Sequence, residues 1–199
     1  IPIDGTQYCS SSSISCPGCL RKKLKNGVIN YSHQVIGAAI VHPDMRQVIP
    51  LAPEPIRNID GSSKQDCERN AGKRLLHKIR ADHPKLGIII TGDGLYANLP
   101  FLHELKYFDM SYILVVKPGD HKFLFNRLSA LKEQNGINKI ESVDVKGRRH
   151  IYEWVNGLPL NGSQNTDHVN FFEYTIITNG KKTFHCSWVT DSLVDQANI

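Results

Sequence analysis

Leu86-Gly-Ile-Ile-Ile-Thr91 is a nearly unbroken apolar run that ends directly in Gly92-Asp93-Gly94. A strand that is apolar on both sides must be covered on both faces, the pattern of a parallel strand buried in an α/β sheet. The segments around it fit that requirement. Ahead of it, Ala71, Leu75, Leu76 and Ile79 repeat at helical spacing, and Asp82-His83-Pro84 ends the helix. Ser62 or Ser63 is expected to cap this helix, with Gln65 and Asp66 in its first turn. Behind it, a short helix over residues 99–105 leads to a second buried strand over 112–116 and a further helix over 123–134.

The first part of the chain has a different pattern. Residues 1–8, 28–41 and 47–51 read as strands, the last two joined by a turn at His42-Pro43-Asp44. They are expected to form an antiparallel meander. Residues 9–27 read as a polar loop, and 52–63 as a Pro-rich linker. From about residue 139 to 190 aromatic and β-branched residues alternate, and Asn179-Gly180 is a strong hairpin signal between two such runs. The expectation is an α/β fold of three antiparallel strands then parallel strands, with helices on both faces. Residues 1–138 form its core, and 139–199 a β-rich insertion with the start of a return to the core. A dinucleotide-binding fold would open on a Gly-rich strand-to-helix turn, and here the first strand runs into a polar loop instead.

Composition narrows the class. The 199 residues carry a net charge of +5, a modest basic bias compatible with a polyanionic partner. No apolar run is long enough to cross a membrane, and the start lacks the basic and apolar regions of a signal peptide. The absence of an initiator Met suggests a piece of a longer protein. Five cysteines, two of them in Cys16-Pro-Gly-Cys19, point to free thiols or a metal site in a reducing compartment.

Three sets of residues could carry chemistry. Asp4 lies on the first strand and Asp93 at the carboxyl end of the buried one. If those strands are neighbours, two hard oxygen ligands converge, as Mg²⁺ requires. Asp-Gly is also a common turn pair, so spacing alone favours two surface turns. Cys16 and Cys19 can present two thiolates to one tetrahedral ion. Meander topology brings His33 and Cys67 to the same end, which selects Cys16, Cys19, His33 and Cys67 as a zinc set, with Cys9 as a substitute. A tight Pro-Gly turn with free thiols is the alternative. Basic clusters at Arg21, Lys22, Lys23 and Lys25, and at Lys146, Arg148 and Arg149, are candidate phosphate contacts. Lys73, Arg74, Lys78 and Arg80 on the helix read as a solvated face, and His77, His83 and His121 as structural or solvent-facing. Trp154 and Trp188 are expected to pack the core of the insertion.

The chain resembles the catalytic domain of bacterial insertion-sequence DDE transposases of the class with a β-rich insertion. The stretches that carry the resemblance are Ile3-Asp-Gly-Thr-Gln-Tyr8, Cys16-Pro-Gly-Cys19, Val41-His-Pro-Asp44, Ile49-Pro-Leu-Ala-Pro-Glu-Pro-Ile56, Lys64-Gln-Asp-Cys-Glu-Arg-Asn-Ala71, Gly92-Asp-Gly-Leu-Tyr-Ala-Asn98 and Tyr112-Ile-Leu-Val-Val-Lys-Pro-Gly-Asp-His-Lys122. The resemblance implies a ribonuclease H-like fold, with Asp4 and Asp93 as the first two catalytic carboxylates. It also implies Mg²⁺ or Mn²⁺ as cofactor, and cleavage and strand transfer at transposon ends on double-stranded DNA. A homodimer on DNA in the full-length protein and a bacterial, cytoplasmic, nucleoid-associated location follow in the same way. The family's third carboxylate is a Glu on a helix after the insertion, and no segment matches it, so the fragment alone is expected to be inactive. A non-catalytic, zinc-bearing DNA-binding module, domesticated or truncated, is the alternative function. A ribonuclease or junction-cutting nuclease on the same fold is a weaker option.

Overall fold

The computed structural model describes residues 1–57, 66–164 and 166–199. Its elements are, in chain order, β1 (Ile3–Ser11), β2 (Leu20–Lys23), β3 (Ile29–His42), β4 (Met45–Pro50), β5 (Glu54–Ile56), α1 (Glu68–Asp82), β6 (Ile89–Gly92), α2 (Leu99–Tyr107), β7 (Ser111–Val115), α3 (Lys122–Glu133), β8 (Asn138–Val143), β9 (Arg149–Pro159), β10 (His168–Thr178) and β11 (Lys181–Thr190). This is a mixed α/β fold, rich in strands, with two sheets. The chain divides into two compact units, Ile1–Ile90 with Tyr107–Asp109, and Thr91–Lys106 with Met110–Ile199.

The first unit is organised by β3. One of its edges pairs with β1 from Ile3↔Ala38 to Ser11↔Tyr31. Its other edge is shared by three short strands in tandem. β4 takes Ala39 to His42, β5 takes Gln34 to Ile36, and β2 takes Ile29 to Ser32. Two of these strands lie where the sequence led us to expect loop. β2 falls inside the polar segment 9–27, and β5 inside the Pro-rich segment 52–63. Both are short, and neither offers the run of alternating apolar residues that marks a strand. Their backbone groups are satisfied because β3 is long enough to leave an edge free for them.

Alternation on β3 sets its two faces. Ile36 and Ala38 are buried, and Glu54, directly opposite Ile36, is buried with them. α1 covers this face with Ala71, Leu75, Leu76 and Ile79, the apolar stripe expected from the sequence. The helix begins later than expected, at Glu68 with Cys67 at the N-cap, and no side chain caps it. The expected caps, Ser62 and Ser63, lie outside the described residues.

Burying Glu54 requires compensation, since an unpaired carboxylate in an apolar layer is strongly disfavoured. Arg74 Nε donates to Glu54 at 2.7 Å, Lys78 pairs with its other oxygen, and Arg74 Nη2 also donates to Asp66 at 2.8 Å. Burial alone would raise the Glu54 pKa, but the hydrogen bonds from Arg74 and Lys78 outweigh it and hold the group below its ordinary value. Asp66 is likewise held down against burial by Arg74 and by the backbone N–H groups of Cys67 and Arg57. Arg80 ties the end of α1 to the returning chain, donating to the carbonyls of Phe108 and Asp109, each at 2.9 Å.

β6 carries the chain from the first unit into the second, where the strands run in the order β7-β11-β10-β9-β8. In the second unit the strands of the β-rich block continue the sheet from β7, because β11 pairs antiparallel with it at Trp188↔Val115. β10 and β11 are joined by Asn179-Gly180 with φ of 51° and 74°. Two positive φ values in succession match the twist of a two-residue hairpin, which is why Asn-Gly is favoured there. One face of β10 presents Val169, Phe171 and Glu173, all buried. α3 contributes Phe125 edge-on to Phe171 at 5.9 Å and Lys132, which pairs with Glu173 and reaches Glu153 at 2.9 Å. On the other face Phe172 stacks on Trp188 at 4.9 Å and Tyr152 on Tyr174 at 4.7 Å.

The Glu54 cluster yields a stability prediction. Arg74→Met should destabilise the first unit by about 3 kcal/mol in urea unfolding, the low end for breaking a buried pair because Lys78 remains. Since the folded pKa values of Glu54 and Asp66 are depressed, their contribution is complete above the ordinary values of 4.5 and 3.8 and is lost as pH falls below them. The difference between wild type and Arg74→Met should therefore shrink in acid; a difference that is constant from neutral pH into the acid range would show that the pairs contribute nothing.

Candidate functional site

Among the described residues, Cys16, Cys19 and His33 of the first unit meet in a metal-ligating arrangement. Cys16 and Cys19 close a turn in which the Cys19 N–H donates to the Cys16 carbonyl at 3.1 Å. Pro17 and Gly18 suit the bend, Pro by fixing φ and Gly by its freedom. The Cys16 N–H points back at Cys19 Sγ, 3.3 Å away. His33 is placed by β3, and Cys19 stands just before β2. Leu20 pairs with Ser32, so the preceding residue falls level with His33.

The resulting triangle has Cys16 Sγ to Cys19 Sγ at 3.6 Å, Cys16 Sγ to His33 Nε2 at 3.3 Å and Cys19 Sγ to His33 Nε2 at 3.4 Å. Ligands around a tetrahedral zinc ion, with bonds of about 2.3 Å to sulfur and about 2.0 Å to nitrogen, would be spaced by about 3.8 Å and about 3.5 Å. The three atoms therefore already stand close to the edges of one coordination tetrahedron, and the group can hold a metal ion. Cys19 is buried, Cys16 exposed and His33 half-buried, so the site opens to solvent on one side. The Tyr8 ring stacks on His33 at 6.0 Å with a 26° interplanar angle, limiting how the imidazole can turn. The sequence offered no sign of this role for Tyr8, since it depends on the local pairing of β1.

Cys67 is not in the group. It is the N-cap of α1, where its carbonyl accepts the N–H groups of Asn70 and Ala71. Meander reasoning placed it with the other ligands because the linker was expected to return to that end. Instead the segment pairs as β5, and α1 lies over the opposite face of β3 from His33. Cys9 is also outside the compact group, but it lies on β1 directly opposite His33.

The two aspartates belong to different units, and each is described within its own. Asp4 is an exposed residue of β1, and its carboxylate makes no hydrogen bond or ion pair among the described residues. The Ile1 amino group, just ahead of it, donates to the Ile89 carbonyl at 2.6 Å. Asp93 follows β6, exposed, and accepts the Leu95 N–H at 2.9 Å with Oδ1. That is an Asx turn, which leaves Oδ2 uncommitted.

The basic clusters differ in electrostatic state. Arg21, Lys22 and Lys23 lie exposed on β2 and Lys25 in the turn after it. Arg21 is held over the Tyr31 ring, its guanidinium carbon 5.9 Å from the centroid. Lys146 is exposed in the β8–β9 turn, but Arg148 pairs with Asp144 at 2.7 Å and Arg149 with Glu141 at 2.8 Å. Hydrogen bonds from Lys139 and Arg149 lower the Glu141 pKa to about 2, and the Arg148 backbone N–H and side chain hold Asp144 well below its ordinary value. Glu153 and Glu173 lie on β9 and β10 and are both bound by Lys132, so neither presents a free carboxylate.

No protein-family profile and no curated protein matches this chain.

The geometry predicts a pattern of thiol reactivity. A thiophilic divalent ion such as Cd²⁺ should protect Cys16 and Cys19 from alkylation while exposed Cys67 reacts at an unchanged rate, as read by mass spectrometry of the peptides. Equal alkylation of Cys16 and Cys19 with and without the ion would show that the triangle is not a ligand set.

Proposed function

We propose that this chain is the catalytic core of a DDE transposase with a ribonuclease H-like fold, acting on double-stranded DNA through Asp4 and Asp93. The observation that carries the reading is the state of those two carboxylates. Both are exposed, and between them only one oxygen is committed, to the Leu95 N–H. Oxygen atoms left free on a strand and at a strand end are what a hard divalent cation takes as ligands. Bound Mg²⁺ or Mn²⁺ would activate an attacking oxygen and stabilise a leaving one in phosphoryl transfer. Asp4 and Asp93 hold and orient; neither needs to form a covalent bond with DNA. Glu153 and Glu173 are not offered as the third ligand, because Lys132 pairs with both. Lys22, Lys23 and Lys25 on the β2 hairpin are the proposed phosphate contacts, with Arg21 beside them.

A second reading is favoured by the thiol and imidazole triangle: a non-catalytic DNA-binding module in which a structural Zn²⁺ pins the loop ahead of β2. Thiolate and imidazole suit zinc and carboxylates suit magnesium, so the two readings use separate ligand sets. Protein purified without added zinc should contain about one equivalent, as expected of a closed structural site, and Cys16→Ser with Cys19→Ser should remove it and lower the unfolding midpoint.

Binding of Mn²⁺, followed by electron paramagnetic resonance, separates the readings. Weak binding that either Asp4→Asn or Asp93→Asn reduces by about tenfold or more supports the catalytic core, since each variant removes a charged oxygen ligand. Binding unchanged by both substitutions removes the basis for it and leaves the zinc module. Nicking of supercoiled plasmid in Mn²⁺ by this chain, abolished by Asp93→Asn, would place a third ligand within these residues.

A further inference from the structure

We propose that Cys9 is the fourth ligand of the metal centre at Cys16, Cys19 and His33, making it a site of three thiolates and one imidazole. This rests on the zinc reading of those three residues and goes beyond it by closing the coordination sphere from a different strand.

The register of β1 against β3 carries the inference. Ile3, Gly5 and Gln7 pair with Ala38, Ile36 and Gln34, and so share the face of β3 that α1 covers. Unbroken alternation would put Cys9 on that face too. Between Gln7 and Cys9 the register shifts, with Gln7 opposite Gln34 and Cys9 opposite His33. One extra residue, Tyr8, has been taken up as a β-bulge, and the parity of everything after it is reversed. Bulges re-aim side chains in this way beside functional sites. Here the bulge moves Cys9 from the face under α1 to the face that bears His33. It also lets Tyr8 lie against the His33 ring.

His33 is thereby flanked in one row across three strands. Cys9 lies on the β1 side, and Cys19, one residue before the Leu20↔Ser32 pair, lies on the β2 side. Directly opposed residues in an antiparallel pair have Cβ atoms about 4.5–5.5 Å apart. A thiolate that close to the imidazole can share an ion with it after rotation about χ1, and the exposed Cys9 side chain is free to turn. A structural zinc site takes four protein ligands, and the triangle provides three.

The alternative thiol, Cys67, is on the wrong side of the sheet. The next residue, Glu68, has its carboxylate where a Cβ on Gly5 would point, on the α1 face. Gly5 is four residues from Cys9 along β1, about 13 Å at the strand rise.

Cobalt substitution counts the sulfur ligands directly. The chain, loaded with Co²⁺, should show tetrahedral d–d bands and strong thiolate-to-cobalt charge transfer. Cys9→Ser should remove about a third of the charge-transfer intensity, one sulfur ligand of three, and weaken Zn²⁺ binding in chelator competition by at least about tenfold. Cys9→His should restore the affinity without restoring the lost intensity, and Cys67→Ser should match the wild type throughout. If Cys9→Ser also matches the wild type, or if Cys67→Ser loses the intensity instead, the assignment of Cys9 is wrong while the zinc site stands. A wild-type chain that takes up neither Co²⁺ nor Zn²⁺ overturns both.

Discussion

The pairing of β3 is the constraint on which the first unit depends. This strand is long enough to hold β1 along one edge and three short strands along the other. Its alternation then assigns residues from distant parts of the chain to one of two faces. Ile36 and Ala38 go to the side where α1 packs, together with Glu54 from β5. His33 goes to the other side, level with Cys9 and Cys19. A shift of one residue in β3 would exchange the two sets, turning the imidazole to the helix face and putting Ser32 or Gln34 among the thiols. Register is strongly specified wherever one face is buried, and the buried row of Ile36, Ala38 and Glu54 supplies that specification.

The two faces solve different problems. Under α1 a carboxylate is buried, and its charge is met by Arg74 and Lys78 from the helix, so the helix is tied to β5 as well as packed on it. Such a cluster gives little net stability over an apolar layer, but losing one member leaves an uncompensated charge. It therefore fixes where α1 sits more than how tightly it sits there. On the opposite face the segment between β1 and β2 has serines, a Pro-Gly turn and few apolar side chains, so hydrophobic burial cannot hold it. Cys19 is its buried anchor. A metal ion shared between the turn and His33 would supply the missing cross-link, because binding energy at a site absent from the unfolded chain acts as folding energy.

Much of this was legible in the sequence, for reasons that can be named. The stripe Ala71, Leu75, Leu76 and Ile79 has one helical period and one apolar layer to meet it, and the helix packs through those residues. Asn179-Gly180 specifies its turn locally, by a backbone conformation few other pairs adopt. Cys16, Cys19 and His33 could be grouped because a meander brings the turn after one strand to the start of the next. What the sequence does not display is pairing that depends on a partner's edge. β2 and β5 are strands because β3 has room for them, and their own residues carry no strand period. The bulge at Tyr8 is the least visible feature, since nothing in Gln7-Tyr8-Cys9 distinguishes a bulge from a straight strand, and one inserted residue decides which face a cysteine occupies.

Charge separates the basic clusters in a way that composition cannot. A net charge of +5 says nothing about where the excess lies. At the β8–β9 hairpin, Arg148 and Arg149 are matched by Asp144 and Glu141, whose depressed pKa values keep them ionised even in acid. A phosphate approaching that hairpin would have to displace a carboxylate from each arginine, or meet Lys146 alone. On the β2 hairpin, Lys22, Lys23 and Lys25 have no acidic partner among the described residues. Free cations on a short, exposed hairpin retain the counterion-release contribution that drives binding to a polyanion. The proposed metal centre lies at the base of the same hairpin, immediately before Leu20. An ion there would fix the base of the hairpin and so the spacing of its three lysines, which lowers the ordering entropy that binding must overcome. The proposed loop anchoring and the proposed phosphate contact would in this way both follow from one arrangement on β3.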